Sequence, residues 1–204
     1  MQNQFNSSVY THVDIIGNGA SISSHPGTRF IKHIDLQNDS SRIPSLTLFD
    51  FTITGFDISS EVDNNGGVLY INGNCNLILS SMCFYDNRAA SWSVLYANDV
   101  STAVIENSNF DSNLATNLDG ESVYFGASNN DLALNRSDIS DNRAYNGGSF
   151  YKYSGNTNMN GTCNYSRNLV MNNDGEAMYR GSRNTEWMIS NNVFHSIFII
   201  NLSF

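Results

Sequence analysis

The sequence predicts an all-β fold, a single-stranded parallel β-helix (a solenoid) of about six to seven coils with three short strands in each. The first observation behind this prediction is a tyrosine that ends a strand signal and recurs at intervals of 26, 28, 27 and 28 residues. The second is a pair of further apolar blocks that recurs between the tyrosines, and the third is the lack of helical periodicity there. Such a fixed period is typical of repeat proteins, whose coils bury their apolar faces against one another.

The tyrosine block opens each repeat, and glycine begins four of its five copies, where the backbone turns sharply into the strand. Neighbouring residues of a strand point to opposite faces. With the bulkier residues inward, one buried column consists of Leu69, Leu95, Val123, Phe150 and Met178. The tyrosines then form an outward aromatic stripe, the candidate ligand-binding site, which consists of Tyr70, Tyr96, Tyr124, Tyr151 and Tyr179.

Two other interpretations of the stripe stay open at this point. Outward tyrosines also pack on one another and cover a sheet without binding a ligand, which aromatic cross-strand pairing favours. If the smaller residues such as Val68 and Ser122 face inward instead, the tyrosines belong to the core. An exposed stripe would suit sugar rings or a partner protein, with the hydroxyl groups adding hydrogen bonds.

The third block of each repeat starts five residues after the second and supplies another buried column. Its predicted members are Phe84, Phe110, Ile139, Tyr165 and Phe194. By the same offset, Asn158 and Asn160 fall at inward positions of the fourth coil and Met159 is out of phase. We therefore expect a shifted or looped-out strand there, so that the loops of 152–164 are a candidate recognition site or a tolerated insertion.

An asparagine follows the third block at spacings of 26, 29 and 26 residues. These residues are Asn87, Asn113, Asn142 and Asn168. Stacked at a corner of the coil, their amides can hydrogen-bond along the stack and form a structural ladder. As single turn residues they would instead serve by tolerating the left-handed conformation. Either interpretation makes them structural.

The alternation of a Gly-Gly-small-aliphatic block with a Phe-x-x-Asn block resembles the repeats of polymorphic outer membrane proteins, the Pmp family. The fullest matches are Gly66–Leu69, Gly147–Phe150, Phe84 with Asn87, and Phe110 with Asn113. The resemblance covers about residues 45–195 and implies a right-handed β-helix that is exposed on a cell surface and has a role in adhesion. The chain departs from the family at Trp92-Ser93, which replaces a glycine pair, and no membrane-anchoring barrel follows.

We expect three regions along the chain. Residues 1–44 fit the period poorly and are interpreted as irregular N-terminal coils or a cap, and residues 45–195 carry the repeats of about 27 residues. Residues 196–204 are expected to be a terminal strand or a truncated coil. The repeat stops after Phe194 without its next glycine block, which leaves open that the chain is a fragment with further coils in a longer parent protein.

Composition limits the partners. The net charge is −9 with ten Lys plus Arg, so the sequence has no basic footprint for nucleic acid. Acidic polysaccharides would be repelled on average, although a local patch can differ. The apolar segment Ile197–Ile200 is too short to span a bilayer, and the first five residues lack the features of a secretory signal. No metal or cofactor motif is present.

Cysteines and glycosylation sequons give weaker signals. Cys75 and Cys83 lie in one coil and Cys163 three coils away, so that Cys163 is beyond disulfide reach and free thiols are favoured over a bridge. Among six sequons, Asn135 and Asn160 are the plausible acceptors, because both are expected in loops.

The sequence therefore predicts an adhesive or structural β-helix domain, extracellular or at a cell surface, that binds a glycan or a host or surface protein and catalyses nothing. The alternative is a carbohydrate-active enzyme, a polysaccharide lyase or glycoside hydrolase, which would need clustered carboxylates or basic residues. Arg88 and Arg143 are expected two coils apart at turn positions, with Leu114 between them. Asp86 and Asp111 occupy different positions of their coils, and no adjacent carboxylate pair lies on a strand.

Overall fold

The structure is a computed structural model. It describes residues 3–4, 12–24, 27–34, 43–59, 66–116, 122–126, 131–144, 150–154, 156–159, 163–170, 178–183, 187–189 and 193–195. All elements in these ranges are β-strands, and all of their pairings are parallel. The chain is a parallel β-helix, as the repeat predicts.

The tyrosines lie on sheet 1, which takes one strand from each level of the stack. Its seven strands, in spatial and chain order, are Asn3–Gln4, Ile31–Ile34, Leu69–Asn72, Leu95–Asn98, Val123–Phe125, Phe150–Ser154 and Met178–Arg183. Tyr70, Tyr96, Tyr124, Tyr151 and Tyr179 are register partners from one strand to the next. The strict register follows from the near-constant repeat length.

Sheets 2 and 3 carry the second and third apolar blocks. The strands of sheet 2 are His12–Ser23, Ser45–Thr54, Asn76–Ser80, Thr102–Glu106, Asp131–Asn135, Asn156–Met159 and Trp187–Ile189. The strands of sheet 3 that follow Ser45–Thr54 are Cys83–Tyr85, Asn109–Asp111, Asp138–Ser140, Asn164–Ser166 and Val193–His195. Ser45–Thr54 joins the two sheets, because it pairs with Asn76–Ser80 through its first half and with Cys83–Tyr85 through its second.

Sheet 4 is a short fourth sheet that the sequence did not predict. Its strands are Arg88–Ala89, Leu114–Ala115, Arg143–Ala144 and Leu169–Val170. A two-residue strand carries too little periodicity to be recognised, so the expectation of three strands per coil was wrong by one. Four complete coils, starting at Leu69, Leu95, Val123 and Phe150, contain a strand of every sheet. The predicted count of six to seven is too high, because it included levels that contribute to only some sheets.

Residues in the left-handed conformation mark the corners. Between sheets 2 and 3 these are Asp50, Ser81, Asn107 and Arg136, with φ from 45° to 61°. Between sheets 3 and 4 they are Gly55, Asp86, Ser112, Asp141 and Arg167, with φ from 52° to 71°. Short polar residues tolerate this conformation, which explains why Asp, Asn and Ser occupy most corners.

The core consists of columns that run along the stack. Leu69, Leu95, Val123 and Phe150 are fully buried, and so are Phe84, Phe110, Ile139 and Tyr165. Met178 and Phe194 continue the two columns by register. The strands Leu69–Asn72, Leu95–Asn98 and Val123–Phe125 alternate between buried and half-buried residues, so that Tyr70, Tyr96 and Tyr124 point outward.

The fourth complete coil does not contain the shifted or looped-out strand that the sequence predicts. Thr157 is the register partner of Leu132 and of Trp187, and Met159 is the partner of Ile189. Thr157 and Met159 therefore occupy the inward register positions, and Asn158 is the partner of the outward Ala133, whereas Asn160 lies outside the described residues. The sequence has one additional residue before the third block here, since Tyr165 comes six residues after Met159 and the other coils have five. The strand Asn156–Met159 nevertheless keeps the register of its neighbours.

Lys152 is a charged residue that lies in the core. Lys152 follows Phe125 in an inward column of sheet 1 and is 0 % exposed. Its Nζ lies 5.9 Å from the ring centroid of Phe125. Burial lowers the pKa of Lys152 to about 8, although the Asp131 carboxylate raises it in part.

Candidate binding surface

The outward tyrosines form a continuous stack that follows the axis of the β-helix. The ring centroids of Tyr70 and Tyr96 are 4.9 Å apart, and those of Tyr96 and Tyr124, and of Tyr124 and Tyr151, are 5.2 Å apart. The angles between successive ring planes are 16°, 1° and 9°. The side chain of Tyr179 lies outside the described residues, although its backbone continues the register.

This geometry determines which atoms can meet a ligand. A separation of about 5 Å is the spacing of the strands and leaves no room for a second ring between two tyrosines. The ring faces are therefore used within the stack, and the ring edges and hydroxyl groups are what the outer surface can present. A sugar ring cannot stack face to face on an inner tyrosine, contrary to the simplest form of the stripe hypothesis.

The centre of the stack presents the neutral hydroxyl group of Tyr96. Partial burial, followed by the neighbouring phenols of Tyr70 and Tyr124 and the Asp99 carboxylate, raises the pKa of Tyr96 to about 12. Among the described residues the Tyr96 hydroxyl has no hydrogen-bond partner. It is available as a donor and acceptor over the whole physiological pH range.

Trp92 is an aromatic residue beside the stack that does not belong to it. Its ring centroid lies 4.7 Å from that of Tyr96 and 4.6 Å from that of Tyr124, and its plane is tilted by 42° to both. The half-buried indole thus straddles two coils. We call Trp92 together with Tyr70, Tyr96, Tyr124 and Tyr151 the aromatic patch.

The backbone of Trp92 is strained. Its φ is +53°, and the equivalent residue of the preceding coil, Gly66, has a φ of +63°. A left-handed conformation costs a residue with a β-carbon roughly 1–2 kcal/mol. Trp92 thus takes a glycine conformation and places its indole over the stack. The sequence showed the replacement of the glycine pair, but only the structure shows where the indole lies.

Two cations cover the N-terminal end of the stack. The Arg29 guanidinium carbon lies 5.4 Å from the ring centroid of Tyr70, and the Lys32 ammonium nitrogen lies 5.5 Å from it. Arg29 is buried and donates from Nε to the carbonyl oxygen of Gly66 at 3.0 Å. These cation–π contacts occupy the outer face of Tyr70. Sequence reasoning missed both residues, because they precede the regular repeats.

The scan against family models, the search of curated proteins and the search of solved structures found no match to this chain. The resemblance to Pmp repeats therefore rests on the sequence motifs and stays a prediction. Among the described residues no helix has the length and apolarity needed to cross a bilayer. What this surface does must be argued from its geometry.

The asparagine ladder forms as the spacing predicts, and its amides are fully engaged. Asn113 Oδ1 accepts from the backbone N–H and from Nδ2 of Asn87, both at 3.0 Å. Asn113 Nδ2 donates to Asn142 Oδ1 at 2.9 Å and to the Phe84 carbonyl oxygen at 3.1 Å. Asn142 repeats this pattern with Asn168. Buried amides with every polar atom paired leave nothing for a ligand, so the ladder is structural.

The remaining candidate sites do not join the aromatic patch. Cys75 and Cys163 are buried free thiols and Cys83 is a half-buried one, as favoured from the sequence. Asn135 ends a strand instead of lying in a loop, and the serine of its sequon, Ser137, is buried and donates to the Asn135 carbonyl oxygen at 2.9 Å. Asn160 lies outside the described residues.

Proposed function

We propose that this chain is a non-catalytic β-helix domain, adhesive or structural, that is extracellular or exposed on a cell surface and binds a glycan or protein partner through the aromatic patch. The observation that carries the proposal is Trp92, a large aromatic residue held in a glycine conformation over two stacked tyrosines. Strained residues persist where the surrounding structure or the function requires them. A fold that needed only a turn here would use glycine, as the coil before it does.

The patch suits a ligand that lies along the stack. Hydroxyl groups of successive tyrosines recur at the coil spacing, and the indole of Trp92 adds apolar area at the centre. Tryptophan and tyrosine dominate the binding energy of interfaces, because they combine a large apolar surface with a polar group. An extended polymer with regularly spaced hydroxyl groups, such as a neutral glycan, meets this pattern better than a compact small molecule.

The described carboxylates give the enzyme alternative less support. Two of them are paired with an arginine: Glu106 lies 3.9 Å from Arg136, and Asp141 Oδ1 accepts from Arg167 Nε at 2.8 Å. That interaction lowers the pKa of the Asp141 carboxyl group, which keeps it ionised and unsuited to donate a proton. A general acid would need the opposite shift.

Substitution of Trp92 by glycine tests the proposal, because it removes the indole and leaves a residue that suits the backbone. Relief of about 1–2 kcal/mol of strain offsets part of the two lost ring contacts, each worth about 0.5–1.5 kcal/mol beyond the apolar area that the indole buries, so a loss of stability of about 1–3 kcal/mol is expected. Binding to a glycan array or to cultured cells should weaken at least about tenfold, as for a tryptophan at an interface centre. Tyr96→Phe, which keeps the stack and removes one hydroxyl group, should give a smaller loss.

Tyr85→Ser is the matched control, since Tyr85 is 47 % exposed on sheet 3, away from the patch. It should bind like the unchanged protein. Unaltered binding by both Trp92→Gly and Tyr96→Phe would refute a role of the patch. Release of reducing ends from a panel of polysaccharides would replace the proposal with the enzyme alternative.

A further inference from the structure

A second surface lies where sheet 3 turns into sheet 4. The outward residues of sheet 4 are register partners in the order Arg88, Leu114, Arg143 and Leu169. The inward alanines of the same strands, Ala89, Ala115 and Ala144, are buried, which directs the arginines and leucines to the outside. Arginine and leucine therefore alternate from coil to coil, and charge recurs with a period of two coils.

The corner residues beside this column form the other wall of a groove of about 490 Å³. They are Asp86, Ser112, Asp141 and Arg167, one from each complete coil. Arg167 is a bidentate partner of Asp141, which neutralises both charges. Leu114, Arg143 and Leu169 line the opposite side. The groove runs along the stack and is lined by residues of several coils.

This surface is less acidic than the chain as a whole. With Asp57, the bridge partner of Arg88 one level further, the two columns hold three of the ten basic residues and three of the nineteen acidic residues. Asp141 is paired with Arg167, and its carboxylate is also attracted by Arg143 at longer range. Arg88 and Arg143 therefore stand against Asp57 and Asp86. Neither Arg88 nor Arg143 forms an ion pair within 4.0 Å with any described residue. Their guanidinium groups are exposed on a protein whose net charge is −9.

We propose that this surface, the Arg–Leu column with its groove, binds an anionic polysaccharide whose negative charge falls on every second sugar. Two coils span roughly 10 Å, so Arg88 and Arg143 are placed to meet carboxylate or sulfate groups on alternate units. Leu114 and Leu169 then face the uncharged units. Arginine suits this role, because its planar guanidinium group forms bidentate hydrogen bonds with such anions.

Two other polymers fit less well. An extended acidic peptide gains affinity by adding a strand to a sheet edge, and this surface lies on the outer face of strands whose edges already pair with their neighbours in the stack. Single-stranded nucleic acid needs aromatic platforms in a dense basic groove. The two columns contain no aromatic residue, and the overall negative charge opposes a uniformly charged polyanion.

The test compares three size-matched probes on the folded chain: a hyaluronan oligosaccharide with a carboxylate on alternate sugars, an oligogalacturonate with one on every sugar, and a neutral dextran oligosaccharide. The hyaluronan probe should bind tightest and the neutral probe should not bind. Arg88→Gln and Arg143→Gln should each weaken hyaluronan binding about fivefold, in line with an exposed charge pair of about 1 kcal/mol. Leu114→Asp, which places a carboxylate between the two arginines, should abolish it.

Arg136→Gln is the matched control, since Arg136 is an exposed arginine at the neighbouring corner, where its Nε donates to Asn107 Oδ1 at 2.8 Å. It should bind hyaluronan like the unchanged protein. An equal loss with Arg136→Gln would show that bulk charge is responsible and would overturn the proposal. Equal affinity for the two acidic probes would also overturn it, and so would tighter binding of polyglutamate, added as a fourth probe, than of any polysaccharide.

Discussion

Replacement of Asn113 by alanine is expected to lower the free energy of unfolding by about 4 kcal/mol, because several buried polar groups lose their partners, each at a cost of roughly 1–3 kcal/mol. The groups concerned are the backbone N–H and Nδ2 of Asn87 and the carbonyl oxygen of Phe84. Asn87 and Asn113 are 1 % and 0 % exposed, so water cannot replace the lost bonds without opening the corner. Urea unfolding followed by circular dichroism measures the change.

Asn168→Ala provides the matched comparison. Asn168 belongs to the same ladder and accepts from Asn142, but it is only half-buried, so that water can take over part of its role. We expect less than half of the loss seen with Asn113→Ala. Similar losses in the free energy of unfolding for Asn113→Ala and Asn168→Ala would mean that burial does not determine how much each asparagine of the ladder contributes to stability.

Replacement of Lys152 by methionine is expected to raise the free energy of unfolding at pH 7 by roughly 3 kcal/mol, since the lowered pKa of Lys152 measures the cost of holding its charge in the core. The side chain is fully buried, and its pKa falls from 10.5 to about 8. Methionine has a similar length and a flexible apolar side chain that fills such a space. The variant and the parent are compared by urea unfolding at several pH values.

The stability of the parent protein should depend on pH in a defined direction. Below pH 8 the lysine is protonated in both the folded and the unfolded chain, and the penalty is complete. Between pH 8 and pH 10.5 the unfolded chain binds the proton more tightly, so the stability of the parent protein rises with pH. The advantage of Lys152→Met should therefore shrink across this interval.

Lys32→Met is the control for that experiment, because Lys32 is half-buried on the outer side of the same sheet. Lys32→Met should not raise the free energy of unfolding at pH 7 by a comparable amount, because this side chain is not enclosed in the core. A Lys152→Met variant that is less stable than the parent at pH 7, or whose advantage is the same at pH 7 and pH 10.5, would contradict the explanation.

The periodic parts of the fold could be predicted because the same residue pattern recurs in every coil. Five tyrosines and four asparagines at matching intervals determine the stacking register, and the register alone places Asn87 against Asn113 and Tyr96 against Tyr124. The size of their neighbours favoured outward tyrosines but left an inward column open, and the burial of Leu69 and Leu95 decides for the outward direction. Each of these predictions concerns positions that are equivalent in successive coils.

The features that escaped prediction are those that occur once or that span too few residues. A two-residue strand such as Leu114–Ala115 has no period of its own, and the alternation of arginine with leucine becomes visible only when sheet 4 is known. One inserted residue shifted the inward positions of the fourth complete coil from Asn158 to Met159. Lys152 lies where alternation from Phe150 directs it, although lysine normally stays in water.

The Trp92 geometry illustrates the same limit at the candidate site. Sequence comparison between coils shows that tryptophan replaces Gly66 of the preceding coil, but not whether the backbone changes with it. In the structure Trp92 keeps the glycine conformation, at a cost in backbone strain. The contacts of the indole with Tyr96 and Tyr124 determine which backbone conformation Trp92 adopts. A local sequence motif does not reveal such tertiary contacts.

Disulfide trapping between neighbouring coils tests the central claim, that coils lie over one another in one register. Thr102 and Asp131 are exposed register partners on adjacent strands of sheet 2, whereas Ala133 is two residues further along on the same face. In a Cys83→Ser background, Thr102→Cys with Asp131→Cys should oxidise completely, because the α-carbons of paired strands lie within the roughly 4.4–6.8 Å that a disulfide spans. Thr102→Cys with Ala133→Cys should stay reduced, and cross-linking of both pairs alike, or of neither, would contradict the stacked register.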